Sequence, residues 1–219
     1  MLSVIAVGSM TELGIYGGTF APVHNGHVSA ANAFYDGLNL DELLVIPTFL
    51  PPHKVTEAGD DPAMRLAMTK LAFQDNPRRI TVSDYEVHRG GTSYTYLTLA
   101  HFTAPDTRIT FLCGTDMFLT IDSWKHPEIL FALARIAHVK REDTDAEIEA
   151  QIAERTAYYR SRYGGEVLHL DIPVVAISST DVRTLCRQGR DISHLVPASV
   201  CDYIAANRLY GNSAAGGLS

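Results

Sequence analysis

Short apolar runs alternate with longer amphipathic segments along the chain. Runs of β-branched and aliphatic residues with little polar interruption are typical of strands that are buried on both faces of a parallel sheet. The runs that predict strands cover residues 13–16, 43–47, 80–83, 109–113, 136–139 and 167–170, with 174–177 as a further short candidate.

Apolar residues at helical spacing fill the stretches between these runs. The predicted helices cover residues 27–36, 63–73, 96–102, 128–133 and 144–163, and two more, 180–188 and 198–207, follow the last strand. Alternating strands and helices predict a doubly wound sheet. The expected fold class is therefore α/β, a Rossmann-like parallel sheet flanked by helices, with C-terminal helices closing the fold. Such sheets carry many activities, so the fold alone does not decide the function.

The composition fits one globular domain. The chain has 219 residues, of which 46% are hydrophobic and 20% charged, enough for a single domain with a sizeable core. Neither repeats nor a linker divides it. We predict one domain over residues 13–210, a dispensable N-terminal extension over 1–12 with Met10 as a candidate start, and a flexible glycine-rich tail over 211–219.

Charge and cysteine content narrow the range of partners. With 18 basic and 25 acidic side chains the net charge is −7, so the chain lacks the basic surface that nucleic acid requires. The three cysteines have no metal-type spacing, and no apolar run reaches the length of a membrane span. We therefore expect a cytoplasmic protein that binds neither nucleic acid nor membrane and has no metal ligands of its own. A homo-oligomer remains open.

The segment from Gly17 to His27, GGTFAPVHNGH, carries the strongest chemical signal. Two glycines at the end of a strand allow a ligand to approach the backbone. His24 and His27 are three residues apart, so they share one face if a helix begins there. A helix N-terminus with free N–H groups and two imidazoles suits a polyphosphate. The glycine pair alone is equally typical of an ordinary strand–helix turn.

Two further loops follow predicted strands or precede predicted helices. The loop Pro51-Pro52-His53-Lys54 places two cationic groups where α/β sheets bind ligands, although a solvated loop is equally typical. The segment from Gly91 to Thr95, preceded by Glu86 and Arg89, offers hydroxyl and N–H donors at a helix start. Such donors suit a carboxylate, and they are also common in simple N-capping.

The remaining two motifs lie after later strands. Asp116 follows a strand end, where it could accept hydrogen bonds from a ribose or an amino group, or simply cap a helix. Trp124 could stack on a flat ring or serve as a core anchor. The segment from Ile177 to Arg183 combines hydroxyls, a helix start and a guanidinium. This combination suits the outer phosphates of a nucleoside triphosphate, or an N-cap beside a surface arginine.

Taken together, the five motifs resemble the nucleotidyltransferase superfamily with the His-x-Gly-His signature, and within it the bacterial nicotinate-nucleotide adenylyltransferases. The similarity runs over residues 14–210. The resemblance implies an enzyme of NAD biosynthesis that transfers the adenylyl group of ATP to nicotinate mononucleotide, giving nicotinate adenine dinucleotide and pyrophosphate. It also implies Mg²⁺ as the cofactor, bound with ATP, and the two nucleotides as small-molecule partners.

The resemblance also implies roles for individual residues. The expected catalytic residues are His24, His27, Lys54 and Arg183. The expected ATP-binding residues are Gly17, Gly18, Thr19, Phe20, His24, His27, Gly114, Asp116, Ser178, Ser179, Thr180 and Arg183. The expected residues for the nicotinate nucleotide are Gly18, Thr19, His53, Lys54, Tyr94, Thr95 and Trp124. Of these, Thr95 would contact the carboxylate, Tyr94 would shape the wall, and Trp124 would stack on the pyridine ring.

Two positions depart from the family pattern, and three alternatives stay open. Ala21 stands where the family usually has Asp, and Met64 stands before Arg65 where His is frequent.

The first alternative function is that of a pantetheine-phosphate adenylyltransferase, which is usually shorter and has Thr in place of His24. Nicotinamide mononucleotide as acceptor would leave the donors at Thr95 unpaired, at about 1–3 kcal/mol. A non-catalytic nucleotide-sensing module is favoured by Ala21 and disfavoured by the two retained histidines and by Arg183.

Overall fold

The computed structural model describes residues 10–52, 61–140, 146–171 and 177–211. Its strands are β1 Thr11–Gly18, β2 Glu42–Pro47, β3 Ile80–Val82, β4 Thr107–Gly114, β5 Ala134–Lys140 and β6 Val167–Asp171. Its α-helices are α1 Asn25–Gly37, α2 Pro62–Phe73, α3 Tyr85–Arg89, α4 Thr95–Phe102, α5 Thr115–Phe118, α6 Pro127–Leu133, α7 Ala146–Tyr163, α8 Ser179–Arg187 and α9 Ala198–Ala206. Short 3₁₀ turns cover Ile121–Ser123 and Leu209–Gly211.

The six strands form one parallel sheet in the order β3-β2-β1-β4-β5-β6. This confirms the predicted Rossmann-like α/β class. Because the order reverses between β1 and β4, the connections leave the sheet in opposite directions there. The carboxyl ends of these two strands therefore border the crevice in which such sheets bind ligands.

Side chains that alternate along the strands supply two separate cores, one on each face of the sheet. In β2, Leu43 and Val45 belong to one buried cluster, while Leu44 and Ile46 belong to the other. Successive strand residues point to opposite faces, and helices cover both faces. The central residues of such a strand are therefore mostly apolar, which is why the strands appear as short apolar runs in the sequence.

Gly14 in β1 shows how closely the side chains pack on this face of the sheet. A Cβ atom added there would lie 2.5 Å from Leu40 Cδ1 and 2.9 Å from Leu43 Cδ1. We predict that Gly14→Ala lowers the free energy of unfolding by about 1–3 kcal/mol through overpacking, as urea titration would measure. Gly37→Ala is the matched control, since no atom lies within 4 Å of its added Cβ. Equal stability of the two variants would contradict the prediction.

The sequence-based boundaries differ from the structure at both ends of the chain. Strand β1 begins at Thr11, and Glu12 pairs with Arg108 at 2.8 Å and with Arg135 at 2.6 Å. The last two residues of the predicted extension thus belong to the sheet, while residues 1–9 lie outside the described ones. Gly211 ends the final 3₁₀ turn, and residues 212–219 of the predicted tail are likewise outside the described part.

Several short elements have no counterpart among the predictions. Helices α3 and α5 have five and four residues, too few to leave a helical pattern in the sequence. Of the strand candidate 174–177 only Ile177 is described, and it lies outside any strand. Within the described residues, no helix combines the length and the apolar character needed to cross a membrane.

Candidate active site

A cavity of about 1670 Å³ opens at the carboxyl ends of β1 and β4. Its walls come from the glycine turn, the first turns of α1, α4 and α8, and the segment after β4. The predicted site residues that line it are Gly17, Gly18, Thr19, Phe20, His24, His27, Tyr94, Thr95, Gly114, Asp116, Trp124, Ser178, Ser179, Thr180 and Arg183. The other two, His53 and Lys54, lie outside the described residues.

The two histidines of the signature begin helix α1. His24 is the N-cap, with an extended backbone at φ −142° and ψ 171°. The His27 N–H donates to His24 Nδ1 at 3.3 Å, and the His24 N–H donates to His27 Nδ1 at 3.2 Å. This is a reciprocal capping box in which two imidazoles take the places usually held by Ser/Thr and Glu. The rings stack with their centroids 3.6 Å apart.

This geometry decides where each neutral imidazole carries its proton. A ring nitrogen that accepts a backbone N–H must be unprotonated, so the proton of each neutral ring lies on Nε2. His24 is 5% exposed, and burial lowers its pKa to about 4 although Asp181 acts in the opposite direction. At neutral pH, His24 is therefore an uncharged N–H donor.

The buried His24 makes stability depend on pH. The pKa of His24 is about 4 in the folded protein and near 6.5 in the unfolded chain, so protons favour unfolding. The stability that comes from neutral His24 is complete above pH 6.5 and falls as the pH drops toward 4. We predict that urea titrations at pH 7 and pH 4.5 give a larger loss for the unaltered protein than for His24→Asn. Equal losses would refute this assignment.

A buried arginine holds the glycine turn in place. Arg65 in α2 is fully buried, and its guanidinium donates to Thr19 O at 2.7 Å and to Phe49 O at 3.0 Å. It thereby joins the turn after β1 to the loop after β2. Sequence reasoning did not place Arg65 in the site, because a buried arginine leaves no periodic signal. The preceding residue, Met64, packs against the apolar cluster on this face of the sheet. An apolar side chain is therefore well accommodated at position 64, where the family frequently has His.

The turn is also held from α8 through main-chain oxygens. Arg183 donates to Ala21 O at 2.8 Å, and the Ser179 hydroxyl donates to Pro22 O at 3.0 Å. Ala21 itself is buried. Because these bonds use backbone carbonyls, they are available whatever side chain stands at position 21. The turn is therefore braced in the absence of the acidic residue usual in the family.

The hydroxyl residues at the start of helix α8 cap the helix and lie at the cavity. Ser178 is its N-cap and accepts from the Asp181 N–H at 3.1 Å. Arg183 also donates to Thr180 Oγ1 at 3.3 Å. The hydroxyl cluster thus forms the cap of the helix and at the same time lines the cavity.

Another part of the cavity wall is built by the segment before α4. This helix begins at Thr95, and the Ser93 hydroxyl accepts from the Phe49 N–H at 2.9 Å. Glu86 accepts from Thr98 Oγ1. Burial raises the pKa of Glu86, although the hydroxyls of Ser93 and Thr98 and two nearby arginines act to lower it. These bonds hold the predicted carboxylate site in one conformation.

Trp124 is both anchored and available to a ligand. Its indole meets the Phe111 ring edge-on with the centroids 6.2 Å apart, and Nε1 donates to Thr120 Oγ1 at 3.4 Å. The side chain is half-buried and lines the cavity. Trp124 is therefore an anchored side chain that also borders the cavity.

Positive charge collects at the cavity although the protein is acidic. Among the described lining residues, the basic side chains are Lys125, Arg183, Arg187 and Arg208, and the acidic ones are Glu86 and Asp116. The local excess of positive charge favours an anionic ligand. Sequence reasoning missed Lys125, Arg187 and Arg208, which lie outside the segments singled out as motifs.

Comparisons with known proteins agree with this geometry. The family model described as cytidylyltransferase-like matches residues 15–185. A probable nicotinate-nucleotide adenylyltransferase of Geotalea daltonii is 38% identical over 92% of this chain and 99% of its own. One of Mycolicibacterium vanbaalenii is 39% identical over 94% of both chains.

This protein also resembles a solved structure in its fold. The nicotinic acid mononucleotide adenylyltransferase of Plasmodium falciparum, complexed with NaAD, superposes with a TM-score of 0.71 at 20% identity. The match covers 92% of this chain and 98% of that one, and at this identity it shows a shared fold. From the family match and the close relatives, the chain belongs to the cytidylyltransferase-like family and, within it, to the nicotinate-nucleotide adenylyltransferases.

Proposed function

We propose that this protein transfers the adenylyl group of ATP to nicotinate mononucleotide, forming nicotinate adenine dinucleotide and pyrophosphate. The observation that carries the proposal is the convergence of two Nε2–H donors and Arg183 on one glycine turn. The same cavity is lined by the basic side chains of Arg187 and Arg208 and by Thr95 and Trp124. Relatives that cover nearly the whole chain carry the corresponding name.

The reaction needs positioning and charge stabilisation and no protein nucleophile. A phosphate oxygen of the acceptor attacks the α-phosphorus of ATP, a new P–O bond forms, and the bond to the β-phosphate breaks with release of pyrophosphate. His24 and His27 donate hydrogen bonds to phosphate oxygens as negative charge redistributes. Since their Nδ1 atoms are already bonded in the free protein, the donors are oriented before the substrates arrive.

The remaining predicted residues divide between the two nucleotides. Arg183, with Arg187 and Arg208 nearby, attracts the departing pyrophosphate. Gly114 and Asp116 contact the adenine nucleotide. His53 and Lys54 neutralise acceptor phosphate, and Thr95 with Tyr94 receives the ring carboxylate while Trp124 stacks on the ring.

Magnesium fits the donor set as an ion carried by ATP. Within the described residues, no three or more His, Cys, Asp or Glu side chains cluster where they could hold a metal. Mg²⁺ on a triphosphate retains several waters and needs few or no protein ligands, so the phosphates and water would hold it. When bound, it neutralises phosphate charge.

The test is pyrophosphate release with ATP, Mg²⁺ and a panel of acceptors. We expect turnover with nicotinate mononucleotide, a kcat/KM about tenfold to a hundredfold lower with nicotinamide mononucleotide because carboxylate donors remain unpaired, and none with phosphopantetheine. Preference for phosphopantetheine would indicate the sister enzyme. Nucleotide binding without pyrophosphate from any acceptor would indicate a sensing module.

The fluorescence of Trp124, the single tryptophan of the chain, reports on the acceptor end separately. We predict that nicotinate mononucleotide quenches this emission, because the pyridine ring stacks on the indole, whereas inorganic pyrophosphate leaves it unchanged. Trp124→Phe keeps an aromatic face and should bind the acceptor with similar affinity by calorimetry. Acceptor binding to the unaltered protein without any change in emission would place the ring elsewhere.

A further inference from the structure

A line of side-chain hydrogen bonds leads from the cavity along one face of the sheet to α7. Thr115 Oγ1 lies 3.2 Å from His138 Nε2. The two Nδ1 atoms of His138 and His169 are 3.2 Å apart, and His169 Nε2 lies 3.2 Å from Thr156 Oγ1. His138 and His169 face each other because they are register partners in β5 and β6. The line thus connects the start of α5 to three neighbouring elements.

The far end of this line fixes the direction of its protons. The Thr156 hydroxyl donates its single hydrogen to Ile152 O at 2.7 Å, so it can only accept from His169. A neutral His169 then carries its proton on Nε2 and accepts at Nδ1. It follows that His138 donates from Nδ1 and, when neutral, accepts at Nε2 from the Thr115 hydroxyl.

The surroundings favour this arrangement. Burial lowers the pKa of His169, with Asp171 acting against it, so the ring is neutral at physiological pH. The Phe118 ring lies 4.8 Å from the ring of His138 and 6.1 Å from that of His169, between centroids. Next to such an apolar cover, a lost hydrogen bond is costly.

We propose that His138 and His169 are positioning residues for the adenine nucleotide, acting through Thr115. Thr115 is 9% exposed, is the first residue of α5 and lines the cavity beside Gly114 and Asp116. Since its hydroxyl proton is committed to His138, its oxygen acts toward a ligand only as an acceptor. It therefore selects a donor on the nucleotide, either a ribose hydroxyl or an exocyclic amine. This inference rests on the proposed function only in that the proposed function identifies the ligand as an adenine nucleotide.

The test compares two replacements of His169. In His169→Asn, the amide oxygen lies near the former Nδ1 and can still accept from His138, whereas His169→Leu removes the acceptor. We expect the KM for ATP and its Kd by calorimetry to rise about tenfold in the Leu variant, with kcat within about twofold. The Asn variant should stay near the unaltered protein. Equal effects of Asn and Leu would show a merely structural role and overturn the proposal.

The tautomers of His138 and His169 can be measured by NMR without an activity assay. Long-range ¹H–¹⁵N spectra of protein with labelled imidazoles should show Nδ1–H for His138 and Nε2–H for His169. Thr156→Val, which removes the fixed acceptor with little change in shape, should give His169 a mixture of tautomers. The opposite tautomers in the unaltered protein would overturn the proposal even if it is fully active. Expected tautomers and ATP binding without adenylyl transfer would refute the proposed function and leave this inference standing.

Discussion

His24→Asn should lower kcat for adenylyl transfer about a hundredfold or more while leaving the protein as stable at neutral pH as the unaltered one. Asparagine is a preferred N-cap, and its amide oxygen can take the Nδ1 position that accepts the His27 N–H. It has no atom at the Nε2 position. The variant therefore keeps the start of α1 and loses one donor to the phosphates, a loss that typically costs two to three orders of magnitude in rate.

Steady-state pyrophosphate release, together with urea titration at pH 7, checks this result. The matched control is His88→Asn, the same replacement at an exposed histidine of α3 whose Nδ1 pairs with Asp84 at 3.2 Å. It should be nearly neutral in rate and stability. If His24→Asn kept full turnover, or lost turnover only in proportion to unfolding, the proposed role of the imidazole would fail.

Arg65→Met should cost about 3–5 kcal/mol of unfolding free energy. Methionine fills much of the space but cannot donate to Thr19 O and Phe49 O, which Arg65 holds at 2.7 and 3.0 Å. Two backbone acceptors would then lose their charged donor in a buried place. Removal of the guanidinium also withdraws the positive charge that lowers the pKa of the buried Glu86. Breaking a buried charge arrangement from one side is costly.

The control for this replacement is Arg79→Met. Arg79 is 73% exposed in its side chain and pairs with Glu42 at 3.6 Å, so its loss should cost less than about 1 kcal/mol. Denaturant titration of both variants at equal ionic strength gives the comparison. Similar stabilities for the two would show that Arg65 contributes little to holding the turn.

The strands were predictable because their central residues are mostly apolar on both faces of the sheet. Leu43, Leu44, Val45 and Ile46 pack into two different clusters, and a strand that is buried on both faces produces such a continuous apolar run. The six predicted strands are present, and their parallel direction follows from the helices between them. The glycine–histidine segment could also be identified from the sequence, since two histidines three residues apart after a glycine pair are unusual at a strand end.

Residues whose importance depends on distant partners were not predictable in this way. Arg65 contacts a turn that is 46 residues away in sequence, and no local pattern marks an arginine that will be buried. His138 and His169 become neighbours only through strand register. The bracing of the turn at Ala21 uses a backbone oxygen, which is the same for every amino acid and therefore leaves no trace in the sequence.

The mutual caps of His24 and His27 join two requirements that proteins usually meet with different side chains. The two hydrogen bonds that cap the start of α1 are the same bonds that keep the imidazole protons on Nε2. A chain that folds correctly has thereby already chosen the tautomers needed for phosphate chemistry, with no separate step of activation. Conversely, a substitution at either position alters architecture and reactivity at once, unless, like asparagine, it reproduces only the part of the imidazole that faces the backbone.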